Sequence, residues 1–488
     1  MLDEATMPQR RSRSRVLKNL LTLYASQIIT LLLGLLPIAF LPVYLGATGM
    51  GQLTIGFAFA GISSTLIMLG TQQFMVRAIA RDRTSLSEIF WSALAVRMMI
   101  AIVLLPCLAL LAFLSGYGAQ TRTVIMLTYC GMAIQSALVT TIVATLQAIE
   151  RMAWYSAAVI ADKLLVILLG WFVLHQGGGI VGYLLVVILG DLVEFSLNLA
   201  YFLRVVRLQL VISWLAISRM FRGGLPFFLW GFLQIMYNQA SSLILSKLGG
   251  ETAVGWYGTA AQFIVPLIAV PSVAITVLLP RFSELQVLER PAFERMVRRS
   301  MSYMTIITMP MAFGMAAIAP QVIDLFGYPA TFQHSIPVLQ LLAFTLPITS
   351  LLMIMSTAVT ATNKERSWAK ISLFSLGCTV VLNGTLIPLS RLHFGNPAIG
   401  AAASSLSAEL LTLVFVLWIF GRELVDGSVF VIIGKVCLAS LVMALAVVVA
   451  RVLPLPLVIA LGGLVYVGLS LLFKVVRPAE LAALRGQL

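Results

Sequence analysis

Long apolar runs alternate with short gaps along this chain, and the basic residues crowd into every second gap. Fourteen runs can be marked, at roughly 17–43, 52–76, 86–115, 122–148, 153–174, 180–203, 221–247, 254–280, 301–325, 336–361, 370–389, 398–420, 429–450 and 455–473. Each comes near the roughly 20 residues that a helix needs to cross a hydrocarbon core. The N-terminal segment holds Arg10, Arg11, Arg13, Arg15 and Lys18, and later alternate gaps hold such groups as Arg77, Arg81 and Arg83, or Arg204, Arg207, Arg219 and Arg222. In all, 26 of the 32 basic residues fall in this set. The intervening gaps carry Arg122, Lys247, Arg391 and Arg451, which leaves Arg97 and Lys163 deep inside runs. Short cytoplasmic loops collect Lys and Arg, so the pattern predicts both termini in the cytoplasm and an even number of spans.

At 60% hydrophobic and 10% charged residues over 488 positions, the chain lies far from a soluble norm and leaves no soluble domain of any size. The net charge of +14 and the segment Arg10 to Arg15, read alone, fit a nucleic-acid arm. Orientation and the anionic inner leaflet already account for that charge, so no nucleic-acid partner is expected. The same arm with its apolar run resembles a secretory signal, but the run is too long and no small-residue cleavage site follows. An uncleaved first span is expected. Cys107, Cys130, Cys378 and Cys437 all fall inside apolar runs, where a thiol acts as a small hydrophobe. No nucleophile, metal cluster or phosphate loop is recognisable, so neither a cofactor nor enzymatic chemistry is expected.

The first six spans and the next six repeat. Leu45-Gly46 near the end of the first span, with Gly51 opening the second, corresponds to Leu248-Gly249 and Gly255 after the seventh. Glu150-Arg151-Met152-Ala153-Trp154 corresponds to Glu365-Arg366-Ser367-Trp368, and Ile180-Val181-Gly182 to Ala398-Ile399-Gly400. Three matches in the same order make a repeat. With six spans per half, both halves enter from one side, which predicts parallel repeats with a central cavity between them. The expected architecture is therefore all-α and integral to the membrane, with fourteen transmembrane helices. It comprises a cytoplasmic basic segment 1–16, six-helix lobes at 17–210 and 211–425, and two additional helices with a tail at 426–488. Pro37, Pro226, Pro266, Pro271, Pro310 and Pro347 permit kinks that suit rocking lobes. The charged stretch Arg281 to Arg299 reads as a short amphipathic connector on the inner surface.

Several of these stretches resemble a known family. The Leu-Gly end of the first span, Gln147-Ala148-Ile149-Glu150-Arg151, Leu225-Pro226, Val254-Gly255-Trp256-Tyr257, Leu386-Ile387-Pro388 and Ile399-Gly400-Ala401-Ala402 are similar to polysaccharide transporters. These are flippases of lipid-linked oligosaccharides within the multidrug/oligosaccharidyl-lipid/polysaccharide exporter superfamily. The resemblance implies alternating-access export of a polyprenyl-pyrophosphate-linked oligosaccharide for surface or exopolysaccharide synthesis. It also implies a bacterial inner-membrane location, and membrane lipids and polysaccharide assembly proteins as partners. An ion-coupled multidrug antiporter of the same superfamily is the alternative, and a membrane oligosaccharide polymerase or ligase a more distant one. Many relatives carry an acid in the seventh span where this chain has Ser241.

Six charged residues fall near mid-depth in their spans: Arg97, Asp162, Lys163, Asp191, Glu194 and Glu409. Each costs at least about 2.5–3.5 kcal/mol to place there, so it should face a cavity or a partner. As ligands, Arg97 and Lys163 would grip phosphate oxygens or an acidic sugar. The four acids would tune them or titrate with a coupling ion. The competing expectation is an internal network, with Arg97 neutralising Asp191 or Glu194 and Lys163 neutralising a neighbouring acid. Lys18 and Arg222 either greet the phosphate headgroup or serve as topology anchors. Gln27, Asn238, Gln239 and Gln262 either bind sugar hydroxyls or hold helices together. His175, His334 and His393 fall in outward gaps, where a pH-sensing role competes with chance.

Overall fold

The computed structural model describes residues 7–362, 365–424 and 427–473, with the side chains of 7–28 and a few others outside that description. Among the described residues there is no strand. In chain order the helices are α1 (Met7–Met68), α2 (Thr71–Arg81), α3 (Leu86–Leu114), α4 (Ala119–Ala133), α5 (Thr140–Ala148), α6 (Ala153–His175), α7 (Gly179–Val205) and α8 (Trp214–Leu248). They continue as α9 (Glu251–Leu288), α10 (Arg290–Leu325), α11 (Ser335–Ala343), α12 (Thr345–Ala361), α13 (Glu365–Phe394), α14 (Pro397–Leu424), α15 (Gly427–Val449) and α16 (Leu455–Leu472). Twelve described stretches are long and apolar enough to span a membrane. The first of them, Leu32–Arg81, is two spans joined at Gly46, and α8 completes the series, so each of the fourteen predicted runs falls on helix.

The helices break where backbone geometry demands it, more than at prolines. Pro37 and Pro42 lie inside α1, and Pro266, Pro271 and Pro280 inside α9, without interrupting either. The break within α1 is at Gly46, with φ 65° and ψ −179°, a region open essentially to glycine alone. Gly250, just before α9, adopts φ 82° and ψ 174°. The two glycines thus share one conformation in the two halves. This sets the repeat's register at Gly46 with Gly250, one residue longer than the Leu-Gly letters indicate. Span two breaks again at Leu69 and Gly70, both at positive φ, and span four contains a π-helical turn at Ile134–Val139. The α5–α6 junction is a Schellman cap. The Arg151 N–H donates to the Leu146 carbonyl at 2.9 Å and the Glu150 N–H to that of Gln147 at 3.1 Å, with Glu150 at φ 62°.

The chain forms two compact units, Met1–Leu45 with Gln52–Met236, and Gly46–Gly51 with Tyr237–Leu488. In the first, α6 packs on α7 and α2 on α5, around Met75, Ile79, Ala93 and Ala144. In the second, α13 packs on α14 and α15 on α10. The two last helices are fastened there through Tyr466, whose hydroxyl donates to the Ile306 carbonyl at 2.6 Å, and Arg451, which donates to that of Ala317 at 2.8 Å. The stretch Arg281 to Arg299 is not a separate surface helix. It is the end of α9 and the start of α10, turning at Glu289 with Phe282 packed edge-on against Phe293 at 5.7 Å. Its charges pair locally, as Arg281 with Glu284 at 3.0 Å and Arg295 with Glu289 at 2.9 Å.

Candidate functional site

Two polar sites lie within the helices, one in each unit. In the first, Arg97 on α3 has no exposed surface. Its Nε and Nη2 donate to the Thr71 hydroxyl at 3.1 and 2.9 Å, and its Nη1 to the Thr141 hydroxyl at 2.9 Å and the Ser136 carbonyl at 3.4 Å. Thr71 starts the helix after the Leu69–Gly70 break, and Ser136 lies in the π-helical turn. One guanidinium therefore joins the two irregular backbones of the unit. The expected pairing of Arg97 with Asp191 or Glu194 is not formed. Both hydroxyls pass their own protons on, Thr71 to Met68 and Thr141 to Ala137. Arg97 is thus a cation held by neutral groups and closed off by the surrounding helices.

The mid-depth carboxylates of this unit lie on α6 and α7. Asp191 and Glu194, one turn apart, both accept from the Gln135 amide, at 2.9 and 2.7 Å. Asp162 pairs with Lys163 at 3.1 Å, so the predicted neutralisation of Lys163 by a neighbouring acid is present. The partners differ in exposure, with Asp162 at 2% and the Lys163 side chain at 44%. Lys163 is therefore open to a ligand while Arg97 is sealed. Missing side chains make room for the acids, because a Cβ at Gly131 would press on Asp191 and one at Gly190 on Asp162.

The second site is a cavity of about 160 Å³ among α8, α9, α11, α12, α13 and α14, lined by Tyr237, Asn238, Ser241, Tyr257, Ser405 and Glu409 among others. Glu409 accepts from the Thr349 hydroxyl at 2.8 Å. Ser405 lies 3.1 Å from both the Ser241 and Tyr257 hydroxyls, and the Asn383 amide donates to Ser241 at 3.1 Å. The Asn383 carbonyl oxygen is buried without a partner. Ser241 of α8 thus lines the same cavity as Glu409 of α14. Tyr237, Tyr257, Thr349, Asn383 and Ser405 were not legible as site residues, since neutral hydroxyls and amides inside apolar runs resemble interhelical glue.

The remaining candidates are scattered. Asn238 lines the cavity, whereas Gln239 and Gln262 are not among its lining residues, and the Gln262 side-chain oxygen is buried without a partner. Arg222 is exposed on α8. Lys18 and Gln27 lie outside the described side chains. His175 stacks on Trp171 at 5.4 Å and lies 3.4 Å from the Tyr44 hydroxyl, and His334 packs on Trp256 at 4.4 Å. No group of His, Cys, Asp or Glu able to hold a metal is present among the described residues.

The repeat motif itself forms a reciprocal contact inside the second unit. A Cβ on Gly51 would collide with the Glu251 carbonyl oxygen, and one on Gly255 with that of Ala47. Thr48 and Thr252 meet hydroxyl to hydroxyl at 3.1 Å. At the offset of Gly46 to Gly250, Gly51 and Gly255 each meet the equivalent of the position four residues before their own, and Thr48 meets its own equivalent, Thr252.

This fold is that of the multidrug/oligosaccharidyl-lipid/polysaccharide exporter superfamily. Over 93% of this chain and 98% of the other, it is similar to the lipid II flippase MurJ in an inward closed conformation, with a TM-score of 0.72 and 15% identity. An inward-facing multidrug resistance MATE family transporter is similar over 82% and 95%, with a TM-score of 0.63 and 18% identity. The MATE multidrug transporter DinF-BH is similar over 88% and 97%, with a TM-score of 0.56 and 16% identity. No curated protein sequence matches the chain. Residues 16–286 match the model of the polysaccharide biosynthesis protein family, and the chain belongs to that family.

Proposed function

We propose that the protein flips a polyprenyl-pyrophosphate-linked oligosaccharide from the inner to the outer leaflet of the bacterial cytoplasmic membrane, for surface or exopolysaccharide synthesis. The observation that carries this reading is the family match over residues 16–286. Alternating basic gaps favour cytoplasmic termini. Lobes at 17–210 and 211–425, with an appendage at 426–488, would then rock about the site.

The two mid-depth cations also fit alternating access. The cations differ in availability, Lys163 open and Arg97 closed, so a phosphate would meet Lys163 first and Arg97 once the helices separate. Arg222, Lys18, Gln27, Asn238, Gln239 and Gln262 remain candidate substrate contacts. Asp162, Asp191, Glu194 and Glu409 are candidates for ion coupling, Glu409 foremost because it lines a cavity together with the Tyr237, Ser241, Tyr257 and Ser405 hydroxyls.

Cells depleted of the protein should accumulate the lipid-linked glycan facing the cytoplasm, detected by enzymatic labelling of intact and opened spheroplasts. Equal labelling in both, with unchanged surface polysaccharide, would refute the reading.

A further inference from the structure

A second cavity, of about 310 Å³, lies in the first unit at the end of the spans nearest the Arg204 and Arg207 gap. Its volume is at the lower end of the ~300–1,000 Å³ range of small-molecule sites. It is lined by side chains of α3, α5 and α7, among them the aromatic residues Phe90, Trp91, Phe195 and Phe202, and by Leu208 of the extended segment 206–213. One wall, Leu203, is 59% exposed, so the cavity adjoins the lipid. Trp91 lines it, and its indole nitrogen is buried without an acceptor.

The segment 206–213 is a strap across the start of α3. The Gln209 N–H donates to the Ser87 hydroxyl and the Ser213 N–H to that of Ser92, each at 3.2 Å. Along and beyond it, Leu210, Ile212 and Trp214 are 73%, 58% and 81% exposed. Leu203 and Leu208, which line the cavity, neighbour Arg204 and Arg207 in sequence, and both arginines are exposed. Trp91 is five residues into α3, about 7.5 Å below the helix start. Arginines at the surface, a donor one layer down and an apolar space beyond it repeat the order of phosphate, ester carbonyl and acyl chain in a phospholipid.

We propose that this cavity holds one acyl chain of a resident anionic phospholipid, with its phosphate on Arg204 and Arg207 and an ester carbonyl accepting from Trp91. The lipid holds the strap against α3 and so fixes the approach to α8. The inference rests on the orientation given above, which puts this face on the anionic leaflet. The transported carrier is a poorer occupant: a chain seated deep at the inner end would resist the crossing that its headgroup must make.

Native mass spectrometry of the full-length protein in detergent, delipidated and then offered dioleoyl phosphatidylglycerol or dioleoyl phosphatidylcholine, tests this directly. One phosphatidylglycerol per chain should be retained in preference to phosphatidylcholine. The double variant Arg204→Gln/Arg207→Gln, confined to exposed residues, should weaken retention about tenfold. Leu199→Trp, which fills the cavity, should abolish retention at an unchanged melting temperature. Brominated phosphatidylglycerol should quench wild-type tryptophan fluorescence more than that of Trp91→Phe. Equal retention of both lipids, unaltered retention in either cavity variant, preferential retention of a polyprenyl phosphate, or equal quenching would each overturn the proposal. No glycan enters the assay, so failure of the flippase reading leaves its outcome unchanged.

Discussion

Replacing Arg97 by methionine and by alanine separates its charge from its bulk. Both variants lose the bonds to Thr71, Thr141 and Ser136. Neither leaves an orphaned hydroxyl, because Thr71 and Thr141 keep their carbonyl acceptors at 2.6 Å. Both also remove the cost of a mid-depth cation, about 2.5–3.5 kcal/mol on insertion scales. That relief offsets only one or two of the four charged hydrogen bonds lost, about 1.5–3 kcal/mol each. Methionine fills the aliphatic part of a site with no exposed surface, whereas alanine leaves a void costing about 2–5 kcal/mol more. Arg97→Met should therefore melt below wild type in detergent and Arg97→Ala further below it. If the guanidinium meets substrate during the cycle, Arg97→Met should nonetheless abolish glycan export at normal protein abundance. Wild-type export by a stable Arg97→Met protein would refute any transport role for the charge. Equal melting of the two variants would refute the packing argument.

Gly255→Ala places a methyl against backbone that cannot step aside, so it should lower the melting temperature by an amount equivalent to about 1–3 kcal/mol. Gly34→Ala, in open space, should not, and equal melting of the two would dismiss the close crossing. Glu409→Gln preserves shape beside Thr349 and should leave protein abundance intact while export ceases to respond to an imposed ion gradient, measured in vesicles. The Asp82 carboxylate, at the turn before α3, is held below its ordinary value by the Thr84 hydroxyl and N–H. A depressed carboxylate contributes above the usual carboxylate range and loses that contribution as pH falls through its lowered value. Melting curves of wild type and Asp82→Asn should accordingly differ at neutral pH and converge in acid.

The spans were legible because a hydrocarbon core imposes length and apolarity on every residue of a run, and the basic gaps mark the ends. The repeat was legible in letters but not in register. Leu45-Gly46 matches Leu248-Gly249 by identity, while the shared backbone state belongs to Gly46 and Gly250, which only φ and ψ disclose. Arg97 stood out as a charge in an apolar run, yet its partners are hydroxyls and a carbonyl from other chain segments, and no spacing rule brings Thr71, Ser136 and Thr141 together. Lys163 and Asp162 are adjacent, so their pairing needed no tertiary knowledge. Arg281 to Arg299 misleads because its charges hide a helical continuation whose apolar members, Phe282 and Phe293, meet across a turn. The Glu409 cavity was half legible: the acid was visible, its setting of tyrosine and serine hydroxyls was not.

Translocation of a lipid-linked glycan is tested most directly by reconstitution. Purified protein in proteoliposomes carrying a polyprenyl-pyrophosphate oligosaccharide should render inner-leaflet glycan accessible to an external glycosidase at a rate that rises with protein copies per vesicle and vanishes with Arg97→Met. Accessibility no faster than in protein-free vesicles, together with ion-driven uptake of a cationic drug, would contradict it.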